Sequence, residues 1–141
     1  MTTLAPHRDT MESFVDCING GADEETLRGL LAENVRLYGP FSDEPVIGRE
    51  TAVETIKAVN GVSSDDTYLE VLSGDTHHAA HFRLQVGDAA VNGIFFVLMN
   101  HDGMIAEVSI FYRTLPAGVA LQRNLSEVTG MSPWELRTTG Q

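Results

Sequence analysis

Four segments of alternating residues, joined by turn signals, occupy the second half of the chain and constrain its fold more than any other feature. Thr67 to Ser73, His77 to Val86, Ala89 to Asn100 and Met104 to Thr114 each read as strands. Gly74-Asp75, Gly87-Asp88 and His101-Asp102-Gly103 join them, and the last two are tight hairpin signals. An antiparallel meander is therefore predicted. Its third strand is apolar on both faces, with Phe95, Val97 and Met99 on one and Ile94, Phe96 and Leu98 on the other. Such a strand is covered on both sides. The helices upstream can cover only one. The other is expected to meet a second copy of the chain in an isologous homodimer, unless the C-terminal helices take that place.

Helices are predicted on both sides of the meander. Residues 8–19 place Met11, Phe14, Val15 and Ile18 at helical spacing, and Gly20-Gly21 stops the helix. Asp23 caps a second short helix through Leu27, Leu30 and Leu31. Asn34 to Tyr38 reads as a strand ended by Gly39-Pro40, and Phe41 to Pro45 as a polar turn. Gly48 opens a third helix, Arg49 to Val59, with Val53, Ile56 and Val59 on one face, and Gly61 to Asp66 reads as loop. A fourth helix follows Pro116 through Val119, Leu121 and Leu125. Ser132-Pro133-Trp134-Glu135 is a capping box that predicts a short terminal helix. Helices first and a meander afterwards make an α+β chain. It is read as one domain, 1–141, with a core over 8–114 and a helical extension over 115–141.

Charge excludes several partners. The 141 residues carry 20 acidic and 9 basic groups, a formal net charge of -11 at pH 7. One lysine, Lys57, and eight scattered arginines cannot neutralise a phosphate backbone or an anionic lipid surface, so neither nucleic acid nor membrane is expected as a partner. Cys17 is the only cysteine, which leaves no disulfide framework; in an apolar helical stretch it reads as a buried structural thiol. No run approaches the roughly 18 apolar residues of a membrane span. The N-terminal residues lack the apolar core of a signal peptide, so a cytoplasmic protein is expected. His77, His78 and His81 form a cluster, but His78 and His81 point to opposite faces of a strand and cannot converge on a metal. No cofactor is expected.

Two blocks of the chain carry a family resemblance. The first is Leu31 to Tyr38, Pro40 and Glu44 to Glu50; the second is Asn92 to Phe95, Asp102 to Val108 and Phe111 to Arg113. In their order and spacing, over roughly residues 10–115, they resemble the nuclear transport factor two-like superfamily, whose relatives include ketosteroid isomerases, limonene-epoxide hydrolases and SnoaL-type polyketide cyclases. The resemblance implies a curved antiparallel sheet wrapped around the N-terminal helices, a cone-shaped, cystatin-like barrel with an internal apolar pocket. It also implies dimerisation through the convex sheet face.

The resemblance further shows which catalytic groups are missing. A ketosteroid isomerase uses a carboxylate base and an oxyanion hole of a tyrosine and a protonated aspartate. The base aligns with Gly39, the aspartate with Phe95 and the tyrosine near Val15; two supporting tyrosines align with Leu31 and Ile56. None of these carries a useful proton. An epoxide-hydrolase relay fits poorly, because Gln85 in Arg83-Leu84-Gln85 is no base, parity puts Arg83 and Gln85 on the convex face, and the second relay aspartate aligns with Ile110.

The expected pocket is lined by Val15, Asn19, Leu37, Gly39, Ile56, Phe82, Phe95, Val97, Met99 and Ile110. Tyr112 and His78 have inward parity and are the candidate catalytic groups, Tyr112 as a hydrogen-bond donor to a carbonyl and His78 as an acid or base near pH 7. Two functions stay open. One is an isomerase or cyclase that orients an apolar steroid- or polyketide-like small molecule. The other is a non-catalytic binding or accessory module that kept the fold and lost the chemistry; epoxide hydrolysis ranks below both.

Overall fold

The computed structural model describes residues 7–19 and 23–133. The elements run α1 (Arg8–Ile18), α2 (Glu24–Leu30), β1 (Leu31–Tyr38), β2 (Val46–Ile47), α3 (Arg49–Val62), β3 (Ser64–Ser73), β4 (His77–Val86), β5 (Ala89–Met99), β6 (Ile105–Arg113) and α4 (Leu115–Thr129). The six strands form one curved, open sheet in the order β2-β1-β6-β5-β4-β3. The meander β3 to β6 is antiparallel throughout. β1, however, joins β6 in parallel. The sheet is thus mixed rather than wholly antiparallel, because the α3 and β3–β5 excursion lies between two strands that end up side by side.

Local rules account for most element ends. Asp23 accepts from the Thr26 N–H at the start of α2, and Thr114 does the same for Ala117 in α4. Gly130 closes α4 in the left-handed conformation that favours glycine. Three differences from the sequence reading exceed a residue at an element end. β1 begins at Leu31 rather than Asn34, so Leu31 belongs to a strand and not to the second helix. The expected loop Gly61 to Asp66 is divided between the last turn of α3 and the start of β3, where Ser64 pairs with Gln85 across a bulge. Val46 and Ile47, between the expected turn and the third helix, form a short edge strand on β1. Of the capping box, Ser132 and Pro133 are non-helical, and the rest of the expected terminal helix lies outside the described residues.

One face of the sheet supplies the core. Burial alternates along β4 and β5, so His78, Ala80, Phe82, Leu84 and Val86 point inward with Val91, Phe95, Val97 and Met99. They meet Met11, Phe14, Val15 and Ile18 of α1, Ala52, Val53 and Ile56 of α3, and Ala117, Leu121 and Leu125 of α4. α4 therefore shares the inner core and leaves the outer face of β5 bare: Ile94 and Phe96 remain 45% and 44% exposed. Arg28 bonds Glu50 of α3 at 2.9 Å together with Glu24 and Glu25 of its own helix, tying α2 to α3.

Gly93 is the tightest point of the sheet. A Cβ built there lies 2.3 Å from Cζ of Phe82 and 2.7 Å from the Phe111 carbonyl oxygen. The backbone oxygen cannot move aside cheaply, and the Phe82 ring is held by its own stacking on Phe95, with centroids 4.5 Å apart. Gly93→Ala is expected to destabilise the fold by about 1–3 kcal/mol through overpacking, read as a lower urea midpoint at unchanged slope. An unchanged midpoint would show that the ring has room to shift.

Candidate functional site

Among the described residues, an interior void lies between α1, α3 and the inner faces of β1, β5 and β6. It is bordered by Ile18, Leu37, Thr55, Ile56, Val59, Asn60, Phe95, Ile110 and Tyr112, and its volume is about 30 Å³. A cavity needs on the order of 10–15 Å³ to hold one water, so this one admits about two. Aromatic packing accounts for the small size. Phe95 stacks on Phe82 at 4.5 Å and on Tyr68 at 6.3 Å, and meets the edge of Phe14 at 5.9 Å. Phe82 in turn meets Tyr112 edge-on at 5.7 Å, and Tyr112 touches Phe41. Phe95 is thus packed on three sides by aromatic rings, from α1, β3 and β4.

The expected lining divides accordingly. Leu37, Ile56, Phe95 and Ile110 border the void together with Tyr112. Val15, Phe82 and Val97 are packed into the core instead, and Ile18, one turn after Val15, takes the place on the void. Asn19 is exposed and closes α1, its N–H donating to the Val15 carbonyl. Gly39 lies in an open hollow with Tyr38, Pro40, Ser109 and Phe111. Met99 borders a hollow near the N-terminus of α1, with His7, Asp75, Thr76 and His101. The sequence reading passed over Asn60 and Thr55. Asn60 stands four residues after Ile56, a spacing that shares one helix face, and its Oδ1 is buried without a hydrogen-bond partner, as is the Ser63 hydroxyl.

Tyr112 and His78 do not form one site. Tyr112 pairs with Gly93 and His78 with Val97 on β5. Four residues of strand separate these partners, about 13 Å. His78 is 1% exposed; its Nδ1 shares a hydrogen bond of 2.8 Å with the Ser73 hydroxyl, while Nε2 is buried with no partner. Burial holds its imidazole below the ordinary value, helped by the positive groups His7, Arg8 and His77. Burial, with Asp16 and Asp23 nearby, raises the Cys17 thiol and disfavours the reactive thiolate. The relay residues Arg83 and Gln85 share the outer parity of β4, away from the void. Among the described residues no group of three or more potential ligands could hold a metal ion.

No protein-family model matches the chain, and no curated protein sequence matches it. Solved structures do. An uncharacterised protein with a cystatin-like fold from Silicibacter pomeroyi DSS-3 superposes with a TM-score of 0.81 at 23% identity, over 88% of this chain and 86% of that one. A steroid Δ-isomerase from Pseudomonas aeruginosa gives 0.79 at 18% identity, over 90% and 96%. A candidate SnoaL-like polyketide cyclase from Jannaschia sp. CCS1 gives 0.72 at 15% identity, over 86% and 97%. The chain therefore has the nuclear transport factor two-like, cystatin-like fold. Likeness at this identity establishes the fold and leaves activity to the residues.

His78 generates a pH dependence. Its neutral form is favoured in the folded chain, so the unfolded chain binds the extra proton more readily. The stability it contributes is complete above the unfolded imidazole value of about 6.5 and is lost as pH falls through the lower folded value. Urea unfolding at pH 7.5 and 5.5 should show a larger loss for the wild type than for His78→Asn. Equal losses would contradict a buried neutral His78.

Proposed function

We propose that the protein is a non-catalytic accessory module that works as a homodimer through its outer sheet face, its interior serving stability rather than substrate. One observation carries this reading: among the described residues, the void beside Phe95 on the inner face of the sheet measures about 30 Å³. Binding sites for drug-sized molecules measure on the order of 300–1,000 Å³. Space of that size occurs on the outer face, in a groove of about 420 Å³ that includes Glu70, Leu72, His81, Asn92, Ile94 and Phe111. Leu72 and Phe111 are 62% and 60% exposed there. An apolar face of this kind is a marker of association. The buried, unpaired Cys17 suits a reducing compartment such as the cytoplasm. Among the described residues, no helix is long and apolar enough to cross a membrane.

A second reading is favoured by the polar groups on the void. Tyr112, Thr55 and the unpartnered Oδ1 of Asn60 border it, and one neighbour is a steroid Δ-isomerase. On this reading an apolar steroid- or polyketide-like small molecule displaces Phe95 and is isomerised or cyclised by orientation and hydrogen bonding.

Two measurements decide between them. Light scattering at micromolar concentration should give a dimer for the wild type, and a monomer with unchanged circular dichroism for Phe111→Glu. A wild-type monomer would contradict the proposed assembly. Incubation with a β,γ-unsaturated 3-ketosteroid should give no conjugated ketone by ultraviolet absorbance. Turnover that Tyr112→Phe abolishes would establish the second reading in its place.

A further inference from the structure

The outer face differs in charge from the rest of this acidic chain. In strand register it carries a row of Arg83, Asn92 and Arg113, then a row of Glu70, His81, Ile94 and Phe111. Next come Leu72, Ala79, Phe96 and Ser109, and finally His77, Leu98 and Glu107, with Arg36 beside Glu107 on β1. Three arginines and two glutamates thus stand on the four rows of a molecule whose formal charge is -11. Two copies repel each other across most orientations, and this near-balanced face is where they can approach. No ion pair among the described residues engages Arg36, Arg83, Arg113, Glu70 or Glu107; those that form lie on α1, α2 and α3.

Resting on the homodimer reading above, we propose that two copies dock face to face about an axis perpendicular to the strands, so that Arg113 of each copy stands opposite Glu107 of the other. Two in-plane axes join this face to itself with the strands of the two copies aligned. An axis along the strands lays the arginine row on its own copy, placing Arg83 and Arg113 against one another. The perpendicular axis lays the arginine row on the row of His77, Leu98 and Glu107. Arg113 and Glu107 lie six residues apart on β6, about 20 Å, with Phe111, Ile94 and Phe96 between the two ends. The apolar middle then packs on itself, and two equivalent pairs of opposite charge frame it. His77, stacked on Phe96 at 5.0 Å and bonded through Nδ1 to the Thr76 hydroxyl, comes opposite Arg83.

Sedimentation equilibrium on the full chain, with circular dichroism as the check on folding, tests the arrangement. Arg113→Glu and Glu107→Arg should each weaken dimerisation about tenfold or more, since each reverses two equivalent pairs. The double variant, with the charges exchanged, should recover to within about threefold of the wild type. High salt should narrow the gaps between variants. Single variants that dimerise as the wild type does, or a double variant as weak as the two single losses combined, would overturn this orientation while leaving the homodimer standing. A wild-type chain that sediments as a monomer would overturn both.

Discussion

The stacking of Phe82 on Phe95 is the contact from which the rest of the interior follows. The two rings lie 4.5 Å apart and nearly parallel at 26°. They can do so only because Gly93 has no side chain, which lets the Phe82 ring lie against the backbone of β5. Around this pair Phe14 of α1 and Tyr68 of β3 close from two further directions. Aromatic pairs of this kind contribute about 0.5–1.5 kcal/mol each beyond their buried area. The same packing that unites helix and sheet leaves a void of about 30 Å³ beside Phe95.

Much of this was legible in the sequence. Strand parity along β4 and β5 correctly assigned inner and outer faces, since a period of two leaves no other arrangement for Phe82, Phe95 and Val97. The hairpin signals Gly87-Asp88 and Asp102-Gly103 marked where the meander turns. The parallel union of β1 with β6 was not legible, because nothing local in Leu31–Tyr38 records a partner some seventy residues away. Nor was the state of the interior. Whether inward-facing rings line a cavity or fill it depends on distances between elements, and pattern alone gives only direction. The candidate site suffered most from this. His78 and Tyr112 share a face yet meet different parts of the core, a separation that becomes visible only once each has a numbered partner on β5.

The outer face shows the complementary behaviour. The two-sided apolar pattern of β5 predicts a cover on this face; α4 does not supply it, because it packs into the core rather than across the outer sheet. Across this face the acidic excess of the chain thins out. The excess is carried elsewhere, by residues such as Glu12, Glu24, Glu25, Glu50 and Glu54 on the helices, where several are engaged by Arg8, Arg28 and Lys57. In the proposed dimer, charge segregation of this kind favours contact through this one surface. The fold thus offers two surfaces: an interior narrowed by its own aromatic rings, and an exterior whose apolar strip is open.

The central claim, that Phe95 occupies the place of a ligand, is tested most directly by thermal unfolding of the wild type and Phe95→Ala with and without indole as an apolar probe. Removing a buried phenylalanine ring leaves a cavity at a cost of about 3–5 kcal/mol, and apolar cavities of this kind stay dry and accept aromatic guests. The account predicts that indole leaves the wild-type Tm unchanged and raises that of Phe95→Ala in a saturable manner. A saturable rise in the wild type itself would contradict it, because it would show an interior already open to ligand.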